Sequence, residues 1–445
     1  MSAFAPVIER VNPEGLGLLE TYGGLDLDYI NERYRIYDPE LGRLVEKPWT
    51  DIVNNRSLPA GRTYWDQNGV LQTAAADSPV IEYDPVTGAK LGNRIWGSYA
   101  NTIPASQNFL NSNWSFNSLD VDIISAAHPG LNATPAQRFI IKATNSNHIL
   151  FSQPTSLNYQ SGKTYVLTWV IKPAGYSWAQ LVVASAKFGT NVWANFNVTT
   201  GTFGATGSSV IGRWAKPLPD GYYEITITAV ATASGVDTNG GIQALPSDLP
   251  TRLPSYTGDG VSGLYLWHTQ IGEGAAPLPY VLTATTAVTI PAESQIIDGQ
   301  NFLDLWNSGE GSVFCLASAS NKFGYMFQVD SGSLLHRRLL RFDDLSGLRA
   351  FSIKDAAVAS ATAGTTWVAG VSKRGATNFV RGVYCRASAE GSISGFGDNA
   401  PDGANRLSIG HSPFGGATWL EGHIRRLIVL RKALPDSLLQ RITQP

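Results

Sequence analysis

The residues best suited to chemistry are Trp193, Asn195 and Asn197, in the run Asn191-Val-Trp-Ala-Asn-Phe-Asn-Val-Thr199. Read as a strand, a period of two puts Val192, Ala194, Phe196 and Val198 on one face and the indole and its two amides on the other. The first face suits a core. The second offers a flat apolar surface flanked by fixed donors and acceptors, which is what recognising a sugar requires; the bland alternative is that a loop, an arm or a neighbouring subunit covers Trp193. Trp178, at the entrance of the preceding strand-like run, is a second carbohydrate-binding candidate. Phe414, in the Gly- and Pro-bearing loop 410–416, and Trp419, before the closing strand, are two more. Asp259, in a Gly-rich turn, could give a carboxylate to a structural calcium. No other cofactor is indicated.

Catalytic signatures fail one by one. Gly258-x-Gly260-x-x-Gly263 spells a dinucleotide fingerprint, but a loop with Pro246, Pro250 and Pro254 precedes it and an alternating run, Leu264 to Ile271, follows. A pyrophosphate site needs a strand before and a helix after. Gly162-Lys163-Thr164 ends like a phosphate loop, yet Leu157 stands where the first glycine belongs. Gly391-Ser-Ile-Ser-Gly395 centres on Ile393, so it is no nucleophile elbow. None of the six histidines falls in a metal-binding pair, and Asp343 and Asp344 are adjacent, so they would point to opposite sides of a strand. Asp26 and Asp28 would share a face, where a solvated edge outweighs a catalytic dyad. The expectation is a protein that is not an enzyme.

The elements that must position these residues are strands. Charged residues make up only 15% of the 445, and many stretches alternate Val, Ile, Thr and aromatics between Gly-, Asn- and Pro-bearing turns, the balance of an all-β protein. The formal charge of −2 argues for neither nucleic acid nor an anionic membrane as partner. Residues 1–95 carry 9 basic against 14 acidic side chains, with short alternating runs and no evident core of their own, and read as an extended N-terminal arm with short hairpins. Residues 96–283 and 284–445 read as two β-sandwich (jelly-roll) domains, the second closing on a long strand and a short helix opened by Pro435 and Asp436. Cys315 and Cys385, in apolar runs, read as buried thiols rather than a disulfide or a zinc site. No apolar run reaches membrane-spanning length and the first residues lack the pattern of a secretion signal, so membrane insertion and ordinary secretion are not expected.

Three stretches carry resemblances. Tyr64-Trp-Asp66-Gln-Asn-Gly69 through Ala74, then Pro79-Val-Ile-Glu-Tyr83-Asp84-Pro85-Val-Thr87-Gly88, resembles the N-terminal entry segment of many tailed-phage and prophage (or gene-transfer-agent-like) virion structural proteins. It departs from them at Asn93-Arg-Ile-Trp-Gly97, where relatives continue differently. The order of Gly162-Lys-Thr-Tyr-Val-Leu-Thr-Trp169, Phe196-Asn-Val-Thr-Thr-Gly201, Trp214-Ala-Lys-Pro217 and residues 256–274 resembles carbohydrate-binding-module-like jelly rolls of phage proteins. The ending, Arg406-Leu-Ser-Ile-Gly410 and Trp419 through Thr443, resembles the close of concanavalin-like or laminin-G-like sandwiches.

These resemblances imply a fibre- or spike-type adhesion protein on the virion surface, extracellular when functioning. The N-terminal arm would dock on other virion proteins, and the sandwiches, in a symmetric homo-oligomer, would bind host surface polysaccharide without cleaving it. The competing expectations are a purely architectural virion component (tail, head-fibre or vertex) and a capsule depolymerase.

Overall fold

The computed structural model describes residues 17–116, 121–128, 135–153, 158–238, 240–307, 309–319, 324–332, 337–343, 347–351, 355–359, 364–374, 380–386, 389–393, 403–414, 418–435 and 438, with the backbone alone for 121–122, 124–128, 337–338 and 342–393. Strands hold 49% of the chain and helices 7%, which makes the fold all-β. None of the helices among these residues is long and apolar enough to cross a membrane.

Two six-stranded antiparallel sheets form the middle sandwich. The front sheet runs Trp114–Phe116, Ile149–Ser152, Gly241–Leu245, Trp178–Val182, Trp193–Asn197, Thr202–Thr206; the back sheet runs Val121–His128, Ala136–Ile141, Gly263–Glu273, Thr164–Ala174, Tyr223–Val230, Gly212–Pro217. Alternate residues of both sheets meet in one core, with Leu150, Leu181, Phe196 and Ile242 from the front and Phe139, Leu167, Trp169 and Leu264 from the back. Phe109 and Trp114 pack their rings on Trp169 at centroid distances of 5.6 Å each.

The strand Gly263–Glu273 lies between two partners in the back sheet, and the turn before it explains its glycines. Gly260 has φ +79°, a conformation that side chains rarely adopt. At Gly263 an added Cβ would stand 1.7 Å from the Phe139 carbonyl oxygen, so the partner strand forbids one. The alternation expected along this strand holds for Leu264 and Leu266, both in the core. Then it breaks. Val170 pairs with His268 while Ile171 pairs with Leu266, so Trp267 is an extra residue, a β-bulge that reverses the phase. Trp267, outward by the same alternation, joins an outer aromatic cluster with Tyr222 and Tyr280, and the bulge lets His268 stack on Tyr280 at 3.7 Å between ring centroids instead of following Leu266 inward.

The second sandwich is built from both ends of the chain. Its larger sheet runs Arg43–Glu46, Arg33–Asp38, Gly23–Asp28, Gly422–Leu430, Gly311–Ala319, Gly364–Arg374, Val380–Arg386, Ala389–Ile393, with Lys90–Ile95 also paired to Gly422–Leu430 and Ile81–Tyr83 beyond it. The opposing sheet runs Asp355–Ala359, Gly347–Phe351, Arg337–Asp343, Gly324–Asp330, Arg406–Ile409, Ser294–Asp298, Asn55–Ser57. Leu25, Leu27, Ile36, Trp49 and Ile52 share one core with Val313, Phe327, Leu407 and Val429. The extended arm expected for residues 1–95 is thus corrected over its described part. Residues 23–57 supply four strands and a short helix, Trp49–Ile52, to the C-terminal sandwich because their apolar faces find partners hundreds of residues away. Asp26 and Asp28 are likewise not a solvated edge: both are buried, and Asp26 accepts from Arg35 (Nη2, 2.5 Å) and from Arg426 of the closing strand (Nε, 2.8 Å).

Residues 61–95 clamp the two sandwiches together. The hairpin Thr63–Trp65 with Leu71–Thr73, turned by Asp66 accepting from the Asn68 and Val70 amides at 2.9 Å, lays Trp65 and Leu71 on the back sheet's aromatic cluster. Arg62 and Glu293, both fully buried, pair at 3.1 Å. Cys315 is a buried free thiol, while Cys385, Asp344 and the helix start at Pro435–Asp436 lie wholly or partly outside the described residues or side chains.

Candidate functional site

The front sheet's outer face carries three rows of side chains set by strand register. Trp178 pairs with Leu245 and Asn197; Gln180 with Gln243 and Asn195; Val182 with Gly241 and Trp193. Register therefore brings Trp178, Trp193, Asn195 and Asn197 onto one face, as the alternation implies.

The face is not open, however, which corrects the expectation of an exposed aromatic between free amides. Residues 246–254 cross the middle row. Gln180 donates from Nε2 to the Asn195 Oδ1 (2.8 Å) and the Thr251 carbonyl (2.9 Å), and its Oε1 accepts from the Leu253 amide at 2.6 Å. Asn195 donates to Asp248 Oδ1 (2.8 Å) and the Leu249 carbonyl (2.7 Å), and Gln243 to the Pro254 carbonyl (2.8 Å). The segment's three prolines have no N–H to offer, so the loop presents mostly carbonyls, which suits a row of amide donors. Asn195 is fully buried and Trp193 is 7% exposed. Asn197 spends its side-chain oxygen on the Thr199 and Thr200 amides, each at 3.0 Å, closing the next turn. Trp178 stays half-buried at the head of its strand.

Beside the roofed row, a cleft of about 210 Å³ opens over the third row. Its floor is Ile149, Phe151 and Val182, with Gly241 leaving the middle of the floor bare; its walls are residues 183–186, Asp237 with Thr238, and Arg252 from the roofing loop. Arg252 donates Nη2 to the Val183 carbonyl at 3.0 Å, while its Nε is buried without a partner. Burial alone lowers its pKa; no carboxylate counteracts it. Asp237 accepts at Oδ1 from the Thr238 amide at 2.7 Å. The cleft thus combines an apolar floor, a half-buried cation and a carboxylate, and it escaped the sequence reading. One signal was there: residues 96–283 hold only eight basic side chains, and Arg252 sits among the prolines of a loop.

The other candidates lie elsewhere. Phe414 and Trp419 belong to the second sandwich. Phe414 lies under the Arg406 guanidinium, 5.0 Å from its ring centroid, and Arg406 pairs with buried Asp330 at 2.7 Å. Trp419 donates Nε1 to the Glu293 carbonyl at 2.6 Å and stacks on His411, which makes it a strut. Asp259 caps its own turn: Oδ1 accepts from the Val261 (2.9 Å) and Ser262 (2.7 Å) amides, and hydrogen bonds from Ser262 lower its pKa. Among the described residues no group of three His, Cys, Asp or Glu side chains could hold a metal ion.

Two buried glutamates at the junction of the sandwiches have opposed environments. Burial pushes Glu82 up, but Arg94 and the His423 hydrogen bond (2.7 Å) outweigh it and hold the carboxyl at about 2. Burial raises Glu293, with Arg62 and Arg94 only partly offsetting it. Paired carboxylates of divergent acidity can serve glycoside hydrolysis. Here both are engaged by cations that tie the hairpin region to the second sandwich, a structural use.

The sheets define a protein of two packed β-sandwiches. No family model and no curated protein matches the chain. Among solved structures it is similar to the LG1–3 region of the laminin α2 chain (9% identity, 65% of this chain and 66% of that one, TM-score 0.25). It is similar also to domains LG4–5 of the mouse laminin α1 chain (11% identity, 72% and 95%, TM-score 0.23) and to a candidate carbohydrate-binding protein of Bacteroides ovatus (9% identity, 73% and 80%, TM-score 0.22). The alignment to the first stops just short of two thirds of that laminin chain.

Proposed function

We propose that the chain is a carbohydrate-binding protein without hydrolytic activity, that the cleft beside the proline-rich loop receives a unit of a cell-surface polysaccharide, and that the chain works on the surface of a tailed-phage or phage-derived particle. The observation that carries the binding part is the cleft's composition. Apolar Ile149 and Phe151 can face sugar C–H groups while Asp237, Thr238, Ser185 and Arg252 supply acceptors and donors around them. The particle setting is supported by the resemblance over residues 64–88 to entry segments of virion proteins. Several copies per particle, in a symmetric homo-oligomer, would make weak single-site affinity sufficient.

One observation favours a second reading, that of an architectural virion protein. The amide row of the sheet face, Gln180, Asn195 and Gln243, is consumed by the chain's own loop. Both readings are separated by presenting a panel of host polysaccharides to the full chain, since residues 23–57 are needed by the second sandwich. Binding that is lost in Ser185→Trp, which fills the rim of the cleft from an exposed position, is the expected result. A folded chain that binds nothing on the panel leaves the architectural reading, and shortening of the polysaccharide would establish a depolymerase instead.

A further inference from the structure

We propose that the unit held in the cleft is anionic, a uronic-acid ring whose carboxylate is received by Arg252 while its ring hydroxyls donate to Asp237; this rests on reading the cleft as a sugar site.

Arg252 is a cation in want of a partner. Its Nη2 is held by the Val183 carbonyl, its Nε is buried and unpaired, and it forms no ion pair with any described residue. A guanidinium presents two parallel N–H groups to one carboxylate, and such charge-assisted pairs are about twice as strong as neutral hydrogen bonds. A neutral sugar would leave that capacity unused. Burial already pulls the Arg252 pKa down, so the cation is desolvated at a cost that an incoming carboxylate would offset.

Asp237 decides between a sugar acid and a bare anion. It lines the same cleft, where its charge repels sulfate or phosphate, yet a carboxylate is a good acceptor for hydroxyls. A uronate carries both a carboxylate and hydroxyls on one ring and can satisfy both walls at once. Ile149 and Phe151 then face the ring's C–H groups. At about 210 Å³ the cleft is smaller than pockets for drug-sized molecules, about 300–1,000 Å³, which suits a single ring at a chain end or a branch. Residues 96–283 carry equal numbers of acidic and basic side chains, so the preference must come from contact at Arg252 and not from a long-range field.

The test uses the full chain and paired probes: trigalacturonate and a hyaluronate tetrasaccharide, each beside its carboxyl-reduced neutral form, with inorganic sulfate alone as a third arm, all by calorimetry. The acidic member of at least one pair is expected to bind on the order of tenfold or more tighter than its neutral form. Arg252→Gln should erase that difference, and Asp237→Asn should weaken both members. Equal binding of acidic and neutral forms by the native chain overturns the proposal while leaving the sugar site standing. Sulfate binding as tightly as the uronates also overturns it. Failure of every probe together with the polysaccharide panel removes both this inference and the reading beneath it. The comparison of paired probes on the native chain needs no variant to fold.

Discussion

His268 makes this fold acid-sensitive in a way that can be isolated. The imidazole is 1% exposed, stacked on Tyr280 and against Trp267, and both of its ring nitrogens are buried without a hydrogen-bond partner. Burial, acting alone, moves its pKa from 6.5 to about 3. The folded chain therefore keeps the ring neutral while the unfolded chain takes a proton below about pH 6.5. The stability that the neutral ring permits is complete above that pH and is lost as pH falls toward 3, at about 1.4 kcal/mol for each unit. By pH 4.5 roughly 3 kcal/mol is gone. His268→Phe keeps an aromatic ring on Tyr280 and has no proton to take. At pH 7 it should be at least as stable as the native chain, since it removes two unsatisfied polar atoms whose burial costs about 1–3 kcal/mol. Urea unfolding of both proteins from pH 7 to pH 4.5, followed by tryptophan fluorescence, should give curves that diverge by roughly 3 kcal/mol, because every other titrating group is common to the two. Parallel curves, or a His268 ring signal in NMR that titrates near 6.5 in the folded chain, would refute the reasoning.

Two structural predictions follow from close contacts. Asp26→Ala leaves the Arg35 and Arg426 guanidiniums facing each other without their shared carboxylate, and should cost about 3–5 kcal/mol in urea unfolding; a loss below about 1 kcal/mol would show that the N-terminal strands do not depend on that pair. Gly263→Ala drives a methyl into the Phe139 carbonyl, so the two strands must part at a central position, and a fall in melting temperature of at least about 5 °C is expected. A variant that melts with the native chain would contradict the register of the back sheet.

Strands were legible wherever alternation is local. Val192, Ala194, Phe196 and Val198 enter the core as their spacing dictates, and Trp169 does too. What failed was long-range or one residue wide. Residues 23–57 resemble an arm because their runs are short, and nothing near them in sequence reveals that Leu25 pairs with Val429 or that Asn55 pairs with Ile296. A single bulge at Trp267 turns His268 out of the phase its sequence spacing assigns. Of the two readings open for Trp193 and Asn195, sugar contact or cover by a loop, the structure has the cover, for a related reason: periodicity says which face a side chain takes, and only the path of another segment says whether that face meets water. Asp259 caps its own turn through the amides two and three residues on, a use that its Gly-rich surroundings suggest as readily as a metal.

The roofed row and the open cleft are one construction. Gln180 holds the loop on both sides of Arg252, donating to the Thr251 carbonyl and accepting from the Leu253 amide, and Gln243 holds Pro254 just beyond. Leu253 takes a left-handed φ of +48° to make that contact, a conformation that a freely moving Leu would avoid. The backbone on either side of Arg252 is therefore pinned to a β-sheet, and the guanidinium at its end is delivered to the cleft by a rigid base with one further anchor at Val183. Gln180 and Gln243, together with Asn195 on Asp248 and Leu249, form the socket that aims the cation. Amides buried in a sheet face can recognise a ligand only by being uncovered, whereas a cation set at the edge of their cover can do so without any movement of the fold.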